Sequence, residues 1–190
     1  ESDDRSNGTT INQTSTESTS DAVSNAVGDI NVTASSSSVT CNSCEDCTAK
    51  LTSGLYNRVI LTQDILNHSG NCINFNANNV TFNCSGHLIA GDWPSDVDYG
   101  IKLMGNNNTI ENCGIGLFWY GIWLNSAYFN TIIRNYLALN SYSGLVLADS
   151  NNNNITANTI LFNSYGLALL NSSNTSVDSN VVCGNLVTDI

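Results

Sequence analysis

Gly121-Ile122-Trp123-Leu124-Asn125 returns as Gly144-Leu145-Val146-Leu147-Ala148 and again as Gly166-Leu167-Ala168-Leu169-Leu170. Upstream, Gly100-Ile101-Lys102-Leu103-Met104 belongs to the same column, so the spacings are 21, 23 and 22 residues. A second column runs in step: Asn112, Asn135, Asn158 and Asn180, spaced 23, 23 and 22. Two motifs on one period describe a unit stacked on copies of itself, each burying its apolar side against its neighbours. Within each unit the apolar residues alternate with others (Ile122, Leu124; Leu145, Leu147; Leu167, Leu169). That is the two-residue period of a strand with one buried face. A unit of about 22 residues with two or three short strands and Asn, Gly and Ser corners is one coil of a parallel β-helix, an all-β β-solenoid. A leucine-rich repeat, the rival at this length, needs a helix or a longer Leu signature in every unit, and the sequence has neither.

The strand phase sorts side chains by face. With Ile122 and Leu124 inward, Trp123 points out, as do Val146 and Ala168 in the following coils, while Phe118, Trp119 and Tyr120 crowd the adjoining corner. An outward apolar column marks a surface that something covers: a sugar ring, the N-terminal segment or a neighbouring subunit. The Asn column reads as stability chemistry, amides stacked coil on coil that satisfy polar groups at each bend.

The phrases Gly121-Ile-Trp-Leu-Asn-Ser126, Asn130-Thr-Ile-Ile-Arg-Asn135, Asn151-Asn-Asn-Asn-Ile-Thr-Ala-Asn158 and Tyr165-Gly-Leu-Ala-Leu-Leu-Asn-Ser172 resemble right-handed parallel β-helix repeats of the NosD-like kind. The lead-in is similar: Tyr56-Asn-Arg-Val-Ile-Leu-Thr-Gln-Asp-Ile65, Cys72-Ile-Asn-Phe75, Asn79-Val-Thr-Phe82 and Gly86-His-Leu-Ile-Ala-Gly91. The resemblance covers residues 48 to 190 and implies a right-handed coil in a secreted or surface protein. It says little about activity, because this coil hosts enzymes, adhesins and spikes alike. NosD proteins are linked to copper-site maturation; a single Met104 and two separated histidines offer no soft-ligand set, so that role is not carried over.

Residues 1–40 form a Ser/Thr-rich extension and 41–190 the β-helix, with 41–71 a Cys-rich lead-in and cap. Runs such as Ser35-Ser-Ser-Ser38 have a disordered or stalk-like composition, yet Asp29-Ile30-Asn31-Val32-Thr33-Ala34 alternates as a strand does. Ile30 and Val32 are therefore candidates for pairing with a neighbouring subunit. The net charge of −11 rests on five basic residues, Arg5, Lys50, Arg58, Lys102 and Arg134, which argues against nucleic acid as a partner. No apolar run approaches the roughly 20 residues of a membrane span. A first residue Glu1 is read as the result of signal-peptide removal. Ten Asn-x-Ser/Thr sequons, at Asn7, Asn12, Asn31, Asn67, Asn79, Asn83, Asn107, Asn154, Asn171 and Asn174, point to export and glycosylation.

Seven cysteines in an exported chain point to disulfides: Cys41, Cys44, Cys47, Cys72, Cys84, Cys113 and Cys183 are the candidates, and one must be left over. Cys41-x-x-Cys44-x-x-Cys47 has no fourth ligand at a customary distance and is read as anchoring the first coil rather than holding metal. Cys84 and Cys113 fall within one residue of equivalence in adjacent coils, where strand spacing suits a disulfide. No catalytic constellation emerges. Asp92, Asp96 and Asp98 form the one acidic cluster and are read as a solvated insertion, and His87 as a structural turn residue. The expectation is thus no metal, no cofactor and no enzyme, but a structural β-helix of the cell surface or an extracellular filament, stacking head to tail. Behind it stand a carbohydrate-binding or carbohydrate-processing surface protein, and an adhesin or spike. Asp189-Ile190 falls where the next Gly-Ile strand begins, so Ile190 marks an open end that recruits another strand.

Overall fold

The computed structural model describes residues 37–93 and 96–190. They form a parallel β-helix with three sheets. The first sheet stacks Ser38–Cys41, Arg58–Leu61, Thr81–Asn83, Thr109–Glu111, Thr131–Ile133, Asn154–Thr156 and Ser176–Asp178. The second stacks Ile65–His68, Leu88–Gly91, Gly114–Gly116, Tyr136–Ala138, Thr159–Leu161 and Val181–Cys183. The third stacks Ile73–Phe75, Tyr99–Leu103, Tyr120–Asn125, Ser143–Ala148 and Tyr165–Leu170. Each coil visits the three sheets in that order, and every pairing is parallel to the strand one coil away.

The Gly-led column is in register: Ile101, Ile122, Leu145 and Leu167 face one another across successive strands, as do Leu103, Leu124, Leu147 and Leu169. Parallel stacks run through Val59, Phe82, Ile110, Ile132 and Ile155 in the first sheet, and Ile89, Ile115, Leu137 and Ile160 in the second. These side chains fill one continuous core. The glycines at the second position of the four longer third-sheet strands are dictated by the next coil: a Cβ on Gly121 would lie 2.5 Å from the carbonyl oxygen of Gly144, and one on Gly144 2.5 Å from the Ile160 side chain.

The Asn column needs a one-residue correction at its start. Tyr136 pairs with Gly114, so Cys113, not Asn112, is the equivalent of Asn135, Asn158 and Asn180. Asn112 falls instead with Arg134, Ala157 and Ser179, all at left-handed φ of 53–57°. Two further ladders occupy the other corners: Asn108, Asn130 and Asn153 between the third and first sheets, and Asn140, Asn163 and Asn185 between the second and third. In each ladder a side-chain oxygen accepts the backbone N–H of the preceding coil, as from Asn135 to Asn158 at 2.9 Å. Each ladder begins on an apolar residue, Val80, Cys113 or Phe118, whose N–H bonds to the first Asn. The residue before each rung turns left-handed, even where it is Phe129, Leu139 or Phe162. A left-handed non-glycine residue costs roughly 1–2 kcal/mol. The buried amide bonds at each corner offset that cost, since they remove orphaned polar groups from the interior.

A nine-residue helix, Cys44–Thr52, closes the first coil. Ser43 caps it by accepting from the Asp46 N–H, Glu45 and Asp46 occupy its first turn, and Lys50 its last. This charge order suits the helix dipole. Its buried face, Cys44, Cys47 and Leu51, packs against the first coil and joins the common core. Nine residues are too few to sustain a helix in water, so tertiary packing and the cystines hold it.

Candidate functional site

The outward aromatic face is the most developed surface of the coil. Trp123 pairs in register with Lys102 and Val146, and Val146 with Ala168, so the column is as the strand phase requires. Beside it runs a ladder of rings: Tyr99 and Tyr120 stack with centroids 5.5 Å apart, Trp119 and Tyr142 at 5.8 Å, and Tyr142 meets Tyr165 at 5.0 Å. Trp123 tilts against Tyr99 and Tyr120 at 4.8 and 4.7 Å. Its buried Nε1 has no hydrogen-bond partner among the described residues. Lys102 lies over Tyr99 at 5.2 Å, a cation–π contact. Where the column steps down from Trp123 to Val146 and Ala168, a groove of about 230 Å³ opens, walled by Tyr142 and Tyr165.

Two members of the expected interface are not on it. Phe118 is fully buried because it occupies the ladder position of Asn140 and turns into the core instead of crowding the corner outside. Val146 points outward but is 3% exposed, lying between Trp123 and Ala168 at the floor of the groove. Trp119, Trp123 and Ala168 are half-buried, and Ile190 is exposed. Ile30 and Val32 lie outside the described residues.

The cysteines tie coils together. Cys41 bonds Cys47 and Cys44 bonds Cys72, which pins the helix to the first coil, and Cys84 bonds Cys113 across adjacent coils. Cys183 is a free thiol, exposed on the last second-sheet strand. The sequence showed that one cysteine must be odd; which one was decided by the distances between coils.

The charged groups act as struts. Glu111 accepts from Arg58 at 2.8 Å and from Arg134 at 2.9 Å, joining three coils. Asp64 accepts from the Leu88 N–H and meets His87 Nδ1 at 3.0 Å; these bonds hold its carboxyl below the usual range. Asp92 and Asp96 are exposed, but Asp98 is not the solvated residue its loop predicts. It is 4% exposed, and its carboxylate accepts from the Trp119 N–H at 2.6 Å. Burial pushes its pKa up, against the opposing pull of that amide. A carboxyl whose folded pKa is raised contributes stability at low pH that is lost as pH rises through the folded value. Asp98→Asn, which keeps the acceptor and removes the charge, is therefore expected to melt above wild type at neutral pH. The gap should close as pH falls below the folded pKa; a gap that widens on acidification would reverse the assignment.

Of the sequons, Asn67, Asn79, Asn107, Asn154, Asn171 and Asn174 are exposed and Asn83 is half-buried; Asn7, Asn12 and Asn31 lie outside the described residues. At the far end, Val177, Val181, Leu186, Val187 and Ile190 are exposed. Asp189 lies against Gly166, where the next coil's strand begins.

No curated protein and no solved structure matches the chain. The family described as periplasmic copper-binding protein (NosD) matches residues 30–190. Copper sites draw on imidazole, thiolate and thioether donors. The chain has one methionine, two histidines and seven cysteines. Cys44, His68 and Cys72 place ligand atoms within 4.8 Å of one another, but the two sulfurs are bonded to each other. His87 is engaged with Asp64, and Met104 stands alone on the third sheet's far corner. The folded, disulfide-bonded residues thus do not fit copper, and the likeness rests on the coil: by that repeat, over residues 30–190, the chain belongs to the NosD family.

Proposed function

We propose that this protein is a structural, non-catalytic β-helix of the extracytoplasmic surface, a rod segment that joins end to end with further copies. The observation that carries the reading is the in-register stack of coils itself, tied by three disulfides and by asparagine ladders that run from coil to coil. The first coil is closed by a helix and two disulfides. Among the described residues, Ser176–Asp178 and Val181–Cys183 are the last strands of their sheets, and Thr188 and Asp189 lie against Tyr165–Leu170. Unpaired edges beside exposed apolar side chains recruit strands.

The helix bars direct stacking of one coil on another at the closed end. In this reading the joint is made by the N-terminal extension of a second copy, with Ile30 and Val32 as its candidate contacts. Such a heterologous contact repeats without closing and yields a filament. A structural role also accords with the carboxylates: Glu111, Asp64 and Asp98 each bind across coils. No helix in the described residues is long and apolar enough to cross a membrane.

Electron microscopy and sedimentation of the full chain and of a variant lacking residues 1 to 37 test the reading. Filaments are expected from the full chain, and a folded β-helix that stays unassembled from the truncated one. Normal filaments without the extension would exclude it as the connector. A native polypeptide whose intact mass includes further coils after Ile190 would overturn the end-to-end reading, because those coils would cover the open edges.

A further inference from the structure

The seven sequon asparagines of the described residues divide by backbone. Asn67, Asn79, Asn107, Asn171 and Asn174 take left-handed φ between 49° and 61°, whereas Asn83 and Asn154 lie in first-sheet strands. Four of the five left-handed ones share a single location, the turn from the third sheet to the first. Asn79, Asn107 and Asn174 occupy one column of it, because the N–H of Asn79 donates to Asn106, that of Asn107 to Tyr128, that of Phe129 to Asn151 and that of Asn152 to Ser173. Asn171 begins the same turn three residues before Asn174.

A left-handed corner residue sits where the chain reverses, so its side chain leaves the coil clear of both flanking sheets. All four are exposed, and the Asn171 amide donates one of its two N–H groups to Asp149 at 2.6 Å. Asn83 contrasts with them: it is half-buried, its carboxamide oxygen accepts from the Ser85 N–H at 2.7 Å and from Asn112 at 3.3 Å, and Cys84 beside it is bonded to Cys113. Conformation by itself accounts for asparagine at these corners, since Asn tolerates left-handed φ well. The hydroxyls two residues on, Thr81, Thr109, Ser173 and Ser176, complete the four sequons, whereas Thr131, in register with Thr109, stands two residues after Phe129 and completes none.

We infer that the turn between the third and first sheets is a glycosylated edge, carrying N-linked oligosaccharides on Asn79, Asn107, Asn171 and Asn174. The donor is an oligosaccharide linked through pyrophosphate to a lipid. Its anomeric carbon bonds to Asn Nδ2, the bond from that carbon to the pyrophosphate oxygen breaks, and the amide proton leaves as the lipid pyrophosphate is released. Successive coils are about 4.8 Å apart, so glycans on Asn79 and Asn107 stand side by side and form one hydrated ridge along the rod. The ridge is hydrophilic and bulky, and it keeps this edge out of contacts between copies. The aromatic face around Trp123, on the strands that precede the turn, stays free of sequons.

Glycopeptide mass spectrometry of the native secreted protein tests the edge. Sugar is expected on the peptides containing Asn79, Asn107, Asn171 and Asn174, with Asn83 unmodified. In a glycosylating secretory host, Thr81→Val, Thr109→Val, Ser173→Ala and Ser176→Ala together remove the four acceptors while leaving each Asn in its corner. That variant should lose most of the glycan mass carried by residues 37 to 190, whereas Ser85→Ala should lose none. Unmodified corner peptides in the native protein would overturn the inference. So would a fourfold variant that keeps most of that glycan mass, or a loss of glycan mass on Ser85→Ala. Filament formation is read separately, so failure of this inference leaves the end-to-end reading standing, and the reverse.

Discussion

Asn158→Ala is expected to destabilise the β-helix by about 3–5 kcal/mol, the summed cost of two or more buried groups left unpaired. Asn158 is 1% exposed and bonds in every direction. Its oxygen accepts from the N–H and the side-chain amide of Asn135, and its amide donates to the Ile132 carbonyl at 2.8 Å and to Asn180 at 3.0 Å. Alanine leaves the Asn135 N–H and side-chain amide, the Ile132 carbonyl and the Asn180 oxygen without the side-chain partner they share. Asn112→Ala serves as the comparison, because Asn112 lies one place off the ladder and is half-buried. Its loss should cost only about 1 kcal/mol, mostly for alanine at left-handed φ. Urea denaturation of both variants checks the pair. Equal losses would mean that the ladder does not govern corner stability.

Leu147→Ala comes second, at about 2–5 kcal/mol. Leu147 is fully buried and sits in the stack between Leu124 and Leu169. Truncation removes its contacts above and below, and neighbouring coils fixed by parallel backbone pairing cannot collapse to fill the space. Thermal melting with a folded-state spectrum measures the loss. An unchanged transition would show that the strand phase is wrong by one residue, since a slip of one exchanges the two faces.

Different features of the chain were open to reading to different degrees. The Gly-led column was legible because each third-sheet strand repeats its alternation on a nearly fixed period. The glycine itself was legible only as a marker; the reason for it, collision with the carbonyl of the coil beyond, is a contact between residues more than twenty positions apart. Spacing alone places the second column one residue out at Asn112, because Cys113 interrupts the asparagines and a neighbouring Asn stands beside it. The other two ladders went partly unread, since the same asparagines serve turns, sequons and rungs, and only the register between coils separates those uses. Phe118 escapes the strand count for a related reason. A run of three aromatics looks outward when counted from the strand, yet the ladder position turns the first of them inward.

The sequence by itself determined the period, the alternation and hence a parallel coil, because repeated burial of one face leaves few other ways to stack identical units. It also determined the acidic charge, the odd cysteine and the set of sequons. Only the tertiary structure decided which asparagines are rungs and which are exposed corners, which thiol stays free, that Asp98 is buried beneath the Trp119 amide, and that a helix packs on the first coil. The physical reason is common to all of these. Each depends on a contact one coil away, where a shift of a single residue moves a side chain from the core to the surface, and composition and spacing do not resolve that shift.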